Sequence, residues 1–199
     1  MKSVLPLLAA LLFIASPASR ADDAAVPVRL LVLGDSLAAG FGVDPDEAYP
    51  ARLEQLARAA GLPVTVVNGG VSGDTTAGGL RRLNWLLRQP PDVLLVALGG
   101  NDGLRGLPPA ATRSNLLAIV DAARARVPGV RVVIAGMQMP PNLGDEYKRE
   151  FRELFPAVAE AAVAALVPHL LEGVGGRPEM NLPDGIHPTP AGHAVIASN

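Results

Sequence analysis

From Val28 onward, short runs of β-branched and leucine-rich residues alternate with longer stretches of helical spacing, and this alternation leaves few folds open. The runs predict strands near 28–33, 64–68, 93–98, 131–137 and 168–171, each continuous enough in apolar residues to be buried on both faces. The stretches between them predict helices at roughly 49–60, 76–88, 110–126 and 145–166, with a short one after Pro190. Pro50 suits the first turn of its helix and Pro108-Pro109 precede another, whereas Pro156 should kink or split the fourth. A repeated strand–helix unit implies an α/β fold, with a parallel sheet covered by helices on both faces and right-handed crossovers. The 199 residues suit one domain with a core that needs no metal or disulfide staple.

The first residues read differently from the rest. Lys2 is followed by an apolar run of eleven residues, Val4 to Ile14, and then by Ser16-Pro-Ala and Ser19-Arg-Ala. This is the pattern of a secretory signal peptide cleaved after Ala21 or Ala18, and we take residues 1–21 as the signal and 22–199 as a single domain. The run is too short to cross about 30 Å of hydrocarbon as a helix, so no stable membrane anchor is expected. With no cysteine in the chain, neither a lipidated cysteine nor a disulfide is available. The expected location is therefore the periplasm or the exterior. A formal net charge of −2 without runs of like charge gives no footprint for nucleic acid, which leaves a small molecule as the default partner of a monomeric protein.

Open parallel sheets bind ligands at the carboxyl ends of their strands, and the chemically suggestive segments fall there. The first strand runs into Gly34-Asp35-Ser36-Leu37, the second into Asn68-Gly-Gly-Val-Ser-Gly73-Asp74-Thr75, and the third into Gly99-Gly-Asn101-Asp102-Gly103. Asp184-Gly-Ile-His187-Pro188 follows the last. Taken alone, Gly34-Asp35-Ser36 reads first as turn chemistry in which Ser36 caps the next helix. The loop lacks the spacing of a dinucleotide fingerprint or a phosphate-binding loop. No Gly-x-Ser-x-Gly elbow is present, because Asp74 occupies the last position after Ser72, and Ser72 is taken as a turn residue.

Asp184-x-x-His187 is more informative. This spacing can set a carboxylate against one imidazole nitrogen while the other faces a hydroxyl, although a solvated Asp-Gly and His-Pro turn fits the segment equally well on its own. Of the other two histidines, His169 reads as packed or superficial and His193 as a cap or a solvated side chain. Gly73 and Asn101 can supply donors for an oxyanion, a close-approaching backbone amide and a carboxamide. Each is also ordinary punctuation after a buried strand.

Together the blocks Gly-Asp-Ser-Leu, Ser-Gly-Asp-Thr, Gly-Gly-Asn-Asp-Gly-Leu-Arg-Gly and Asp-Gly-Ile-His-Pro closely resemble the SGNH (GDSL) hydrolase superfamily, in particular its bacterial arylesterase, thioesterase I and lysophospholipase group. The resemblance spans roughly Arg29 to His193. It implies a three-layer α/β/α sandwich with a five-stranded parallel sheet in flavodoxin-like order, acting on acyl esters or thioesters without a metal or organic cofactor. It also implies Ser36 as nucleophile, His187 as general base and acid, and Asp184 as the partner that orients it. The oxyanion hole would comprise the Ser36 amide, the Gly73 amide and the Asn101 side chain. Asp35 and Asp102 would hold loops by accepting backbone amides. Relatives of this kind usually carry a longer C-terminal helix than the one ending here at Asn199.

For the acyl group, the resemblance places one groove wall at Gly103-Leu-Arg-Gly-Leu107, and a second is suggested by Met137-Gln-Met139-Pro-Pro-Asn-Leu143. Leu107, Met139 and Leu143 are the candidate substrate contacts, with core packing beneath loops as the alternative. Arg105 could meet an anionic headgroup, and a solvated side chain is the plainer reading. Two rival functions remain in view. A carbohydrate O-acetyl esterase would share the triad, but aromatic residues for stacking on sugars are scarce. A non-catalytic binding module would lack a residue of the constellation, and none is missing.

Overall fold

A computed structural model describes residues 26–199, so the signal-peptide expectation for 1–21 lies outside the described residues. Five parallel strands, β1 (Val28–Gly34), β2 (Val64–Gly70), β3 (Val93–Ala97), β4 (Arg131–Ala135) and β5 (Ala165–Val167), pair in the order β2-β1-β3-β4-β5. The central strands carry the densest apolar runs, and Val32, Leu33, Leu94, Val96 and Ile134 are fully buried. Side chains of this size each contribute about 1.5–3 kcal/mol when buried.

Between the strands lie α1 (Ser36–Ala39), α2 (Tyr49–Ala59), α3 (Thr76–Leu86), α4 (Gly100–Leu104), α5 (Pro109–Arg126) and α6 (Asp145–Ala161), with α7 (Pro190–Ser198) at the end. The first crossover leads from β1 outward to β2, and all later ones run the other way across the sheet. Right-handed connections then place α2 on one face and α3, α5 and α6 on the other. The packing agrees: α2 touches α7, while α5 touches both α3 and α6. The direction of winding reverses between β1 and β3, which opens a crevice at their carboxyl ends.

Several expectations need correction. The last strand forms at Ala165–Val167 rather than 168–171, because Pro168 has no amide to extend the ladder beyond Val167. Leu170 is nonetheless part of the core. Helix α6 stops at Ala161, where the chain turns through Val163 with φ 47°. Pro156 does not split α6. It sits on the exposed face, so the Arg152 carbonyl that it deprives of a donor can turn to water. Finally, neither edge strand, β2 or β5, is buried on both faces.

Candidate active site

Ser36 opens α1 directly after β1. Asp35 caps that helix, its Oδ1 accepting the Leu37 amide at 3.0 Å. A helix N-terminus leaves its first amides without intrahelical acceptors. Among the described residues, neither the Ser36 N–H nor the Gly73 N–H has a hydrogen-bond partner. Both are therefore available to a ligand atom with negative charge.

His187 Nε2 lies 3.0 Å from Ser36 Oγ, and its Nδ1 lies 2.7 Å from Asp184 Oδ2. A carboxylate can only accept, so Nδ1 carries the hydrogen and Nε2 is left to accept the serine hydroxyl. The other oxygen, Asp184 Oδ1, accepts the amides of Ile186 (2.8 Å) and His187 (2.9 Å). Gly185, with φ 70°, provides the left-handed turn that folds this carboxylate back on its own backbone. The His187 amide, then the His187 ring and the Ile186 amide, hold the Asp184 carboxyl down at about 2. It is thus a carboxylate at any pH where the histidine could work. Phe41 covers the His187 ring with centroids 4.4 Å apart.

Asn101, in α4, joins the remaining loops. Its Nδ2 donates to Asp35 Oδ2 (3.2 Å) and to the Asp74 carbonyl (3.0 Å). The Gly73 carbonyl accepts from Arg105 Nη2 at 2.9 Å, so Arg105 is a loop tie rather than a merely solvated side chain. Asp102 accepts the Thr76 amide (2.8 Å) and the hydroxyls of Thr76 and Thr112, anchoring α4 to α3 and α5. Ser72 occupies an exposed turn, as its sequence context suggests. Three of the four sequence blocks thus meet through hydrogen bonds at Asp35, Asp74 and Asn101, and the fourth arrives through His187.

The other histidines stand apart. His169 pairs with Glu172 at 2.9 Å in a turn after β5. His193 neither caps α7 nor meets solvent: Thr189 is the cap, and His193 is fully buried, its Nδ1 accepting the Tyr49 amide at 3.2 Å. Burial, and secondarily the charge of His187, pushes His193 down to about 4.

Asp35 is also buried, and desolvation raises its carboxyl from 3.8 to about 6 despite the amide bonds that oppose the rise. Its folded value exceeds its unfolded value, so between those two pH values the native chain holds a proton that the unfolded chain has lost. Ionisation above that window costs the native state about 3 kcal/mol, since each tenfold change in proton affinity corresponds to about 1.4 kcal/mol. Asp35→Asn removes the charge. Its stability relative to wild type should be greatest near pH 7.5 and fall by roughly that amount as the pH is lowered to about 4. Denaturant titration at the two pH values measures this, and a difference independent of pH would contradict it.

The three candidate substrate contacts have different surroundings. Met139 packs against Gly103 and lines a cavity of about 440 Å³ whose other walls include Gln138, Asp145, Lys148, Arg149 and Arg152. Leu143 lines a neighbouring concavity of about 420 Å³ with Tyr147, Glu146 and Glu150, and Leu107 borders neither. Met137 is a core residue. Charged side chains of α6, which begins at Asp145, thus line the same cavity as Met139. Exposed apolar side chains instead flank the site blocks along the chain: Phe41, Val71, Leu104, Leu107 and Ile186.

Arg82 carries no signal of this kind in the sequence, yet its guanidinium reaches Asp74 Oδ2 (2.6 Å), the Gly34 carbonyl (2.8 Å) and the Gly69 carbonyl. An arginine midway along a helix is ordinarily solvated, and only the tertiary fold turns this one inward. Among the described residues, no group of three or more His, Asp or Glu side chains is placed to hold a metal ion, and no helix is long and apolar enough to cross a membrane.

A doubly wound sheet with a serine, histidine and aspartate in relay at its carboxyl rim defines a serine hydrolase. The sequence profile of the GDSL-like Lipase/Acylhydrolase family matches residues 32–195, and the chain belongs to that family. It is 42% identical to an arylesterase of Vibrio mimicus over 188 residues, covering 94% of this chain and 90% of the relative. The thioesterase 1/protease 1/lysophospholipase L1 of Escherichia coli strain K12 is 37% identical over 175 residues, covering 87% and 82%. The crystal structure of TesA superposes with a TM-score of 0.81 at 43% identity, covering 85% of this chain and 94% of that one.

Proposed function

We propose that the protein hydrolyses carboxylic esters and acyl thioesters, including lysophospholipids, through an acyl-enzyme on Ser36. The observation that carries this reading is the unbroken relay from Ser36 Oγ through His187 to Asp184, at 3.0 and 2.7 Å. In the first half-reaction Ser36 Oγ attacks the acyl carbonyl carbon while His187 Nε2 takes the hydroxyl proton. Asp184 stabilises the imidazolium and does not itself take the proton. The carbonyl oxygen becomes an oxyanion, met by the amides of Ser36 and Gly73 and by Asn101 Nδ2. Asn101 Nδ2 already donates to Asp35 at 3.2 Å and to the Asp74 carbonyl at 3.0 Å, so one of these bonds must be shared with the oxyanion. His187 then protonates the departing alcohol or thiol, and in the second half-reaction water repeats the attack and frees Ser36.

A thioester and an ester pass through the same kind of tetrahedral intermediate, so one site serves both leaving groups. The names of the Vibrio and Escherichia relatives support this breadth. We further propose secretion to the periplasm or exterior after cleavage at residue 21, leaving 22–199 as one domain, on the spacing of the first residues alone. The enzyme is also proposed to work as a monomer, since one chain supplies the whole constellation.

Specificity constants for acetyl, butyryl, hexanoyl and octanoyl p-nitrophenyl esters, kept below micelle-forming concentrations, test the acyl reading. If the exposed apolar side chains around the rim receive the chain, each buried methylene contributes up to about 0.8 kcal/mol, roughly fourfold. Efficiency should rise from acetyl through at least hexanoyl, and acyl-CoA thioesters should follow the same order. A steady fall from acetyl onward would favour the carbohydrate O-acetyl esterase instead.

A further inference from the structure

We infer that Arg82 is a positioning residue for the oxyanion hole. The inference rests on the proposed roles of Gly73 and Asn101 and concerns what holds them in place. Arg82 lies on α3, and its guanidinium makes contacts with three separate segments of the rim. Nη2 donates to the Gly34 carbonyl at 2.8 Å, at the end of β1 and two residues before Ser36. Nη1 donates to the Gly69 carbonyl in β2, and Nε donates to Asp74 Oδ2 at 2.6 Å, one residue after Gly73.

These bonds fix relative positions rather than one loop alone. Ser36 follows β1, and Gly73 sits on the turn after β2. A single planar cation grips both strand ends and the far side of that turn. The carbonyl of the same Asp74 accepts Asn101 Nδ2 at 3.0 Å, so the third donor is registered against the residue that Arg82 holds. The pair is largely buried, with side-chain exposures of 21% for Arg82 and 13% for Asp74. A partly desolvated, charge-assisted bond of this kind is stiffer than a surface ion pair. The sequence also makes room for it: a Cβ at Gly78 would overlap the Asp74 carboxylate, and one at Gly79 would overlap Leu98. Glycine at both positions lets α3 approach closely enough for Arg82 to reach the strand ends.

Lysine cannot replace this fork, because an ammonium cannot present donors in the same planar geometry from the same depth. An oxyanion donor must stand within a few tenths of an ångström of its place before reaction, so loosening the Gly73 and Asp74 turn should act on turnover and not on ground-state binding. Arg105 braces the Gly73 carbonyl from the exposed side, but at one point only.

The test uses the full-length enzyme and a p-nitrophenyl ester. Arg82→Ala should lower turnover about 10²-fold and Arg82→Lys at least about tenfold, with the Michaelis constant within threefold of wild type. Circular dichroism and a thermal melt should show both variants folded at the assay temperature. Methylguanidinium added to Arg82→Ala should restore part of the lost turnover, which a general loosening of the fold would not permit. Should Arg82→Ala fail to fold, Asp74→Ala removes the acceptor of the loop arm alone and should lower turnover about tenfold with the same unchanged Michaelis constant.

A folded Arg82→Ala enzyme with turnover within threefold of wild type overturns the inference. So does a loss confined to the Michaelis constant, or, where only Asp74→Ala folds, full turnover in that variant. Asn101→Ala, measured alongside, separates this failure from that of the oxyanion reading. It should lose about 10²- to 10³-fold in turnover, and an active Asn101→Ala would remove the hole itself whatever Arg82 does.

Discussion

Replacing Ser36 by alanine is expected to lower ester turnover by at least about 10³-fold while the protein stays folded. The size follows from what is lost. Without Oγ no acyl-enzyme can form, and only the oxyanion donors and substrate binding remain to assist direct attack by water. The fold should tolerate the change because Ser36 does not cap its helix; Asp35 does, through the Leu37 amide. Turnover and a thermal melt on the same preparation measure both halves of the expectation. A stoichiometric alkylphosphonate should add its mass to wild type and not to Ser36→Ala, and peptide mapping should place it on Ser36. An adduct on Ser72, which occupies an exposed turn near the same rim, would move the nucleophile there.

The site is more legible in the sequence than the groove around it, for a physical reason. Ser36, Gly73, Asn101, Asp184 and His187 lie in short segments whose turn chemistry follows from adjacent residues. Asp35 caps locally, and Asp184 folds onto the amides two and three positions ahead. Contacts of that range survive as spacing in the chain. Arg82 and His193 work over 48 and 144 residues respectively, and no local pattern marks either. The expectation for His193 fails because Ala-Gly-His near a helix start looks like a cap, whereas Thr189 already supplies one.

The groove is less legible for a different reason. Met139 and Leu143 are apolar in sequence, but the cavities beside them are also lined by α6. Its face beside Met139 carries Asp145, Lys148, Arg149 and Arg152 at helical spacing. The expectation sets the last strand three residues too late because Leu170 is as buried as a strand residue, although Pro168 has already ended the ladder. Burial and strand pairing coincide in β1 and β3 at the centre of the sheet. They separate at its edges, where sequence patterns of hydrophobicity lose their meaning as a guide to hydrogen bonding.

The three histidines should separate by the kind of damage their removal does. His187→Ala should lower turnover by about 10³-fold or more, because it deletes the acceptor for the Ser36 proton and the donor for the leaving group in one step. Its stability should change less than that of a core deletion, as the largely buried ring sits at the rim beside Phe41 and its partner Asp184 is open to water. His193→Ala should do the reverse. The ring is fully buried and accepts the Tyr49 amide, so its loss leaves a cavity and an unpaired buried N–H. Those effects together cost about 2–4 kcal/mol, while turnover of the folded fraction should stay within several-fold of wild type. His169→Ala, removing a surface pair with Glu172, should change neither quantity by much. Turnover per folded molecule and the denaturant midpoint, measured for all three variants under one set of conditions, place each on these two axes. If His193→Ala proved inactive while fully folded, or if His187→Ala retained turnover, the relay through His187 would be the wrong one.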